Sequence, residues 1–300
     1  MVTPMTFDPT PYRAEYPWTG AFLDRPGGRL HFLDEGEGKP VLLVHGNPSW
    51  SFYWRHLVKA LSPSRRCIVP DHIGMGLSDK PRDADYAYTL DSRVADLEAL
   101  IDHLGITEGL TVIAHDWGGM IGLALTERRR DLVDKLVLMN TSGFSLPKGS
   151  GLPWQLFLVR RLPFAIPVRG FNAFSVGAAW TCTTKPLPKL VRKAYVAPYD
   201  SWEHRIAVHR FVQDIPLGPK DPAWDTVQRV SDSLGELTSE RPTMIVWGRK
   251  DFVFDDAFLA EWRRRVPDAS YLVFDDAGHY VLEDAHEAIV PAVQSFLQES

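Results

Sequence analysis

Asp116, Asp251 and His279 lie far apart in the chain, yet they are the types that a covalent mechanism needs: a nucleophile, an acid that orients a base, and the base. Asp116 sits in the run Val112-Ile113-Ala114-His115-Asp116-Trp117-Gly118-Gly119-Met120-Ile121. Apolar residues lead in, as in a buried strand, and a helical pattern follows. Between them lies small-x-Asp-x-Gly, the form of a nucleophile elbow, a sharp strand-to-helix turn that holds one side chain up into a cleft. Ala114 and Gly118 are small, as a close approach of strand and helix requires. A Ser at such a tip attacks carbonyls once a base has taken its proton. A carboxylate, with an ordinary pKa of about 4, is ionised at neutral pH without help. It can displace a leaving group from a saturated carbon and form an ester. The plainer role for a lone Asp is to cap the following helix.

Each of the three residues follows an apolar run that reads as a strand: 110–114 before Asp116, 244–247 before Asp251, and 271–274 before His279. Sites in open parallel sheets form at that edge. The order nucleophile, acid, base is the chain order of α/β-hydrolases. Asn47 and Trp117 add two N–H-bearing side chains at the positions that supply oxyanion donors in this fold, and together they predict a cradle for a leaving anion. Their plainer roles are a turn residue and a packing residue. His45, His72 and His115 also end strands. No carboxylate cluster accompanies them, so structural hydrogen bonds near the cleft floor are expected rather than a metal site. Neither metal nor cofactor is called for.

Further strands are predicted over 29–34, 41–44, 67–70 and 135–139, with helices over 50–61, 89–104, 257–265 and 288–297. Alternating strands and helices imply an α/β fold, a mostly parallel sheet covered on both faces. Residues up to about 28 read as an arm over the body. From 143 to 228 the rhythm breaks into Pro- and aromatic-rich sequence, including Trp154, Phe157, Phe164, Phe171, Phe174, Trp180, Tyr195, Tyr199, Trp202, Phe211 and Trp224. This stretch is expected to form a helical cap, so that 1–142 and 229–300 make the core domain. Most of these aromatics are expected to pack the cap itself, and some to face the cleft.

Composition bounds the partners. The 300 residues are 45% hydrophobic with a net charge of −5, so neither nucleic acid nor an anionic membrane is expected. The runs 128–130 and 263–265 of Arg read as solvated helix ends. Two cysteines, Cys67 and Cys182, make no disulfide framework, and Cys67 leads a strand and reads as core. Met1-Val2-Thr3-Pro4 has no basic segment followed by an apolar run, and no apolar run is long enough for a membrane span, so a cytoplasmic protein is expected.

His45-Gly46-Asn47-Pro48, Asp71-His72-Ile73-Gly74-Met75-Gly76-Leu77-Ser78 and His115-Asp116-Trp117-Gly118-Gly119 resemble the haloalkane dehalogenase family of α/β-hydrolases, and the resemblance runs over almost the whole chain. One subgroup of that family takes its acid after the strand ending at Met139. Here Asn140-Thr141-Ser142 follows, so the resemblance assigns the acid to Asp251, as in the third subgroup. That subgroup includes the β-lactone decarboxylases of long-chain olefin biosynthesis, which Phe171-Asn172-Ala173-Phe174, 194–200 and Gln213-Asp214-Ile215-Pro216 also resemble. The resemblance implies a cis-dialkyl β-lactone as substrate, a cis-olefin and CO2 as products, and assembly with neighbouring pathway enzymes. The alternative is a dehalogenase that forms alcohol and halide through an alkyl-Asp ester. Epoxide hydrolases of this fold use two cap tyrosines, for which Tyr195 and Tyr199 are the candidates. A binding protein on an inactive hydrolase fold would not need the three intact residues.

Overall fold

Eight strands pair into one sheet among the described residues, which are 7–147, 151, 154–160 and 165–298 of a computed structural model. In chain order they are β1 (Ala21–Arg25), β2 (Gly28–Glu35), β3 (Pro40–Val44), β4 (Arg66–Pro70), β5 (Leu110–His115), β6 (Val133–Met139), β7 (Thr243–Gly248) and β8 (Ser270–Phe274). Across the sheet the order is β1-β2-β4-β3-β5-β6-β7-β8, antiparallel at the β1 edge and parallel from β4 onwards. The chain leaves β3 towards β4 on one side and returns to β5 on the other. A crevice therefore opens beyond the ends of β3 and β5, the kind of reversal point where open sheets bind ligands.

Helices α1 (Arg55–Leu61), α2 (Leu90–His103) and α3 (Trp117–Arg128) connect the central strands. The segment between β6 and β7 holds α4 (Trp154–Val159), a π-helical turn Ile166–Gly170, α5 (Ala173–Thr181), α6 (Lys189–Val196), α7 (Ile206–Gln213) and α8 (Trp224–Ser239). Helices α9 (Asp256–Arg265) and α10 (Val281–Gln298) complete the fold. Among the described residues no helix is long and apolar enough to cross a membrane.

Strand alternation sorts the core into two layers. Val112 and Ala114 of β5 face α2, α3 and α8, whereas Ile113 faces the layer formed with α1 and α10. Both clusters are fully buried around the central strands, and each such Val, Leu or Ile contributes roughly 1.5–3 kcal/mol. Helix α2 starts cleanly because the Thr89 side chain accepts a hydrogen bond from the Ser92 N–H.

The structure departs from the sequence reading in four places. The N-terminal arm holds for 7–20, where Tyr16 is fully buried and bonds Ser51 Oγ at 2.7 Å. Ala21–Arg25 is nevertheless an edge strand, half-exposed and so without a strong apolar signal, turned back by Pro26-Gly27. The predicted helix 50–61 opens as a 3-10 turn, Ser51–Trp54, before α1. The closing helix starts earlier, at Val281, with a break at Ala285. The expected boundary at 228/229 falls inside α8, which packs on α3 of the core. Phe164 and residues 1–4 lie outside the described residues.

The cap aromatics also divide differently from expectation. Tyr195, Tyr199 and Phe211 are buried, but Trp154, Phe171 and Trp180 are 69%, 77% and 59% exposed. Trp154 opens α4, Phe171 precedes α5 and Trp180 lies near the end of α5, and all three turn towards the surface.

Strand β3 and helix α3 touch where Gly118 lies: a Cβ there would sit 2.1 Å from the Val44 carbonyl oxygen, which belongs to a central strand. Gly118→Ala is expected to destabilise the protein by about 2 kcal/mol or more, as overpacking against immovable backbone does. A lower urea midpoint would register this; an unchanged midpoint would contradict the close packing.

Candidate active site

Asp116 lies between β5 and α3 with φ 53° and ψ −128°, a strained conformation for any residue with a Cβ. The surroundings over-determine it. Its N–H donates to the Asn140 carbonyl at 3.2 Å, and its carbonyl accepts from the Gly119 N–H and the Thr141 hydroxyl at 3.0 and 2.5 Å. Gly119 must lack a side chain because a Cβ would strike Thr141 Oγ1. Gly46 must too, since its Cβ would lie 2.2 Å from Asp116 Oδ2.

The two carboxylate oxygens are in different situations. Oδ2 accepts the Asn47 backbone N–H at 2.7 Å. Oδ1 faces His279 Nε2 at 3.9 Å, beyond hydrogen-bond length. Burial pushes the Asp116 pKa up. Nearby His279 and the backbone N–H groups of Asn47 and Trp117 oppose that rise without cancelling it.

His279 Nδ1 bonds Asp251 Oδ2 at 2.8 Å, and the ring lies flat against Phe254. Burial alone would lower the His279 pKa. The carboxylates of Asp251 and Asp116 outweigh it and hold the imidazole above its ordinary value. Asp251 is anchored in turn by the Val253 N–H at 2.7 Å and by Asn140 Nδ2 at 2.9 Å. Asn140 thus holds the Asp116 backbone with its carbonyl and Asp251 with its amide, while its Oδ1 accepts the Gly248 N–H at 2.8 Å. Sequence reasoning noted Asn140 only as the absence of an acid.

Asn47 and Trp117 both reach the cavity above Asp116. The Asn47 amide donates one N–H to the Val208 carbonyl at 3.1 Å, and its Oδ1 has no partner among the described residues. No acceptor among them engages the Trp117 indole N–H. Behind Trp117 lies a feature that the sequence reading missed. Arg93 is fully buried, 3.6 Å from the Phe211 ring centroid and 6.0 Å from that of Trp117, and it pairs with Asp214 at 3.1 Å. Burial drives the Asp214 carboxyl up to about 6 despite Arg93. The available signal was Arg93 interrupting the apolar stripe of α2, between Leu90 and Val94.

His45, His72 and His115 make hydrogen bonds beneath the site. His115 Nε2 bonds the His279 carbonyl at 2.8 Å, and His72 Nε2 bonds the His45 carbonyl at 3.0 Å. No cluster that could hold a metal ion occurs among the described residues.

The cavity, about 530 Å³, has Asn47, Asp116, Trp117 and His279 as its polar floor. Its walls are apolar: Phe144 and Phe258 on one side, Leu156, Val168, Phe174 and Ala178 from the cap on another. That volume lies in the usual range of ~300–1,000 Å³ for small-molecule sites. The two cap tyrosines do not line it. Tyr195 donates to Glu283, which also pairs with Arg55, and Tyr199 donates to the Ser49 carbonyl at 3.2 Å. The donors on which an epoxide-opening site depends are thus engaged elsewhere.

A family model for the alpha/beta hydrolase fold matches residues 39–286, and this chain belongs to that family. Within it, the chain is 50% identical to a cis-3-alkyl-4-alkyloxetan-2-one decarboxylase of Xanthomonas campestris, over 95% of this chain and 98% of that one. It is 31% identical to haloalkane dehalogenase 2 of Mycobacterium bovis, over 96% and 98%. Among solved structures, the haloalkane dehalogenase DbeA of Bradyrhizobium elkani superposes with a TM-score of 0.84 at 26% identity, covering 93% of this chain and 97% of that one.

The raised His279 pKa carries a pH signature. Its folded value exceeds the unfolded one of about 6.5, so the bound proton stabilises the fold fully below that pH, and the contribution is lost as pH rises through the folded value. Asp251→Asn is expected to drop the His279 midpoint, read from its imidazole proton resonance, and to flatten this part of the stability profile. An unmoved midpoint would contradict the role of the Asp251 charge.

Proposed function

We propose that this chain is a β-lactone decarboxylase, converting a cis-3,4-dialkyl oxetan-2-one into a cis-alkene and CO2. The observation that carries the reading is the near full-length 50% identity to the Xanthomonas decarboxylase, in a chain whose catalytic-type side chains face an apolar cavity. Two alkyl chains suit walls of Phe, Leu and Val, and one polar head suits a polar floor.

In this reading Asp116 Oδ1 attacks the ring carbon bearing the ring oxygen. The C–O bond breaks, its electron pair goes to the ring oxygen, and a free carboxylate forms. The Asn47 amide and the Trp117 indole receive that anion as its charge develops. The bond between the substrate carboxylate and the neighbouring carbon then breaks. Its electrons form the alkene, the Asp116–carbon bond returns its pair to Asp116, and CO2 departs. Attack with inversion followed by anti elimination delivers the cis-alkene. No water is consumed. The His279 charge, steadied by Asp251, favours the ionised Asp116 both before attack and as it is regenerated.

The rest of the chain is read to match. Residues 143–228 are read as the cap and 1–142 with 229–300 as the core, the limit falling within α8. A cytoplasmic setting suits two unpaired buried cysteines. Assembly with enzymes that make the lactone, implied by the resemblance, belongs to the same reading.

Pure enzyme given a cis-dialkyl β-lactone is expected to form cis-olefin and CO2, seen by gas chromatography. Asp116→Ala is expected to lower kcat by roughly three orders of magnitude or more, as loss of a covalent nucleophile does. Rapid bromide release from bromoalkanes with no olefin from lactone would replace this reading with that of a haloalkane dehalogenase, the activity named for the 31% identical relative.

A further inference from the structure

Helix α5 separates two apolar regions. Phe174, Gly177, Ala178 and Thr181 recur at helical spacing and line the cavity. Val176 and Trp180, four residues apart, lie on the other side and are exposed. The helix has no charged residue. A helix apolar all round is ordinarily buried on both sides. Here the second side faces outwards, and the exposed Ile166 and Phe171 lie in and just after the neighbouring π-helical turn. The cavity opens on the same surface, because Leu146, Pro167, Ala173 and Phe252 both line it and are exposed.

Charge is distributed to match. Between Asp134 and Asp200 the chain has nine Lys and Arg and no Asp or Glu, although the whole chain has a net charge of −5. Lys185, Lys189 and Lys193 are exposed on or beside α6, and the Arg192 guanidinium lies 3.6 Å over the Trp180 ring, tying the cationic helix to the apolar one. Exposed aromatics beside flexible cations are the signature of an interfacial surface that seats apolar side chains among lipids and cations at the headgroups. The acids nearby are Asp284, which accepts the Thr184 and Lys185 N–H groups, and the exposed Asp200 and Glu203. The net charge, which counts against an anionic membrane, averages away this local excess.

We propose that the outer face of the cap, centred on α5 and α6, docks on an anionic lipid surface. The cavity mouth then opens towards the apolar phase. An apolar substrate and an apolar product can pass between that phase and Asp116 without crossing water. This goes beyond the reaction assigned above and does not depend on it, because docking is measured without substrate.

The test is co-sedimentation of the full chain with vesicles of phosphatidylcholine alone, or with about a third phosphatidylglycerol, at low and high salt. Binding is expected to be roughly tenfold or more stronger on the anionic vesicles at low salt. The triple change Lys185→Glu, Lys189→Glu, Lys193→Glu should abolish that preference. Phe171→Ala with Trp180→Ala should weaken binding to the anionic vesicles. These side chains are exposed, so unchanged thermal melts are expected and separate lost docking from lost folding. Equal or absent binding on both vesicle types would overturn the proposal. So would a charge-reversed variant that binds as the parent does. Concentration-dependent self-association through this face, with no vesicle binding, would reassign it to a second copy of the chain.

Discussion

A buried carboxylate needs compensation, and the architecture around Asp116 supplies it. Its Oδ2 is held by a backbone N–H from the β3 loop, and its Oδ1 faces an imidazole that two carboxylates keep inclined to hold a proton. The division matters more than either contact alone. Oδ2 is oriented by the Asn47 N–H, whereas Oδ1 stands 3.9 Å from His279 Nε2, too far for a hydrogen bond to that ring. Even so, burial leaves the Asp116 pKa raised, because it outweighs His279 and the backbone N–H groups that favour the charge.

That balance requires strands, turns and glycines to agree within a few tenths of an ångström. The positive φ at Asp116 is affordable because Asn140, Gly119 and Thr141 fix both of its peptide units. Gly46 and Gly118 let β3, its loop and α3 close on the elbow. Asn140 links the two halves of the polar floor, since the register of β6 between β5 and β7 brings it to both Asp116 and Asp251. The Arg93–Asp214 pair ties α2 to the end of α7, beside Trp117 of the polar floor.

Much of this was legible in the sequence, for physical reasons. Strand-length apolar runs followed by Asp or His mark the carboxyl edge of a parallel sheet, so Asp116, Asp251 and His279 could be placed together before any coordinates. Asn47 and Trp117 followed from the positions of the N–H groups in the same fold. Asn140 could not be read, because its partners depend on strand register and an amide at a strand end has many uses. Arg93 broke a regular apolar stripe, a readable signal that the count of apolar positions passed over. β1 escaped because an exposed edge strand needs no apolar face. The cap aromatics misled because apolar side chains were equated with buried ones, whereas Trp154, Phe171 and Trp180 are exposed.

The central claim is a transient bond between Asp116 and the substrate. Rapid-quench mass spectrometry of the wild-type enzyme with a cis-dialkyl β-lactone tests it most directly. The peptide containing Asp116 is expected to gain the mass of one intact lactone within the first turnover and to lose it as olefin appears. Olefin formed at full rate with no such adduct at any quench time, or with the adduct on another residue, would contradict it.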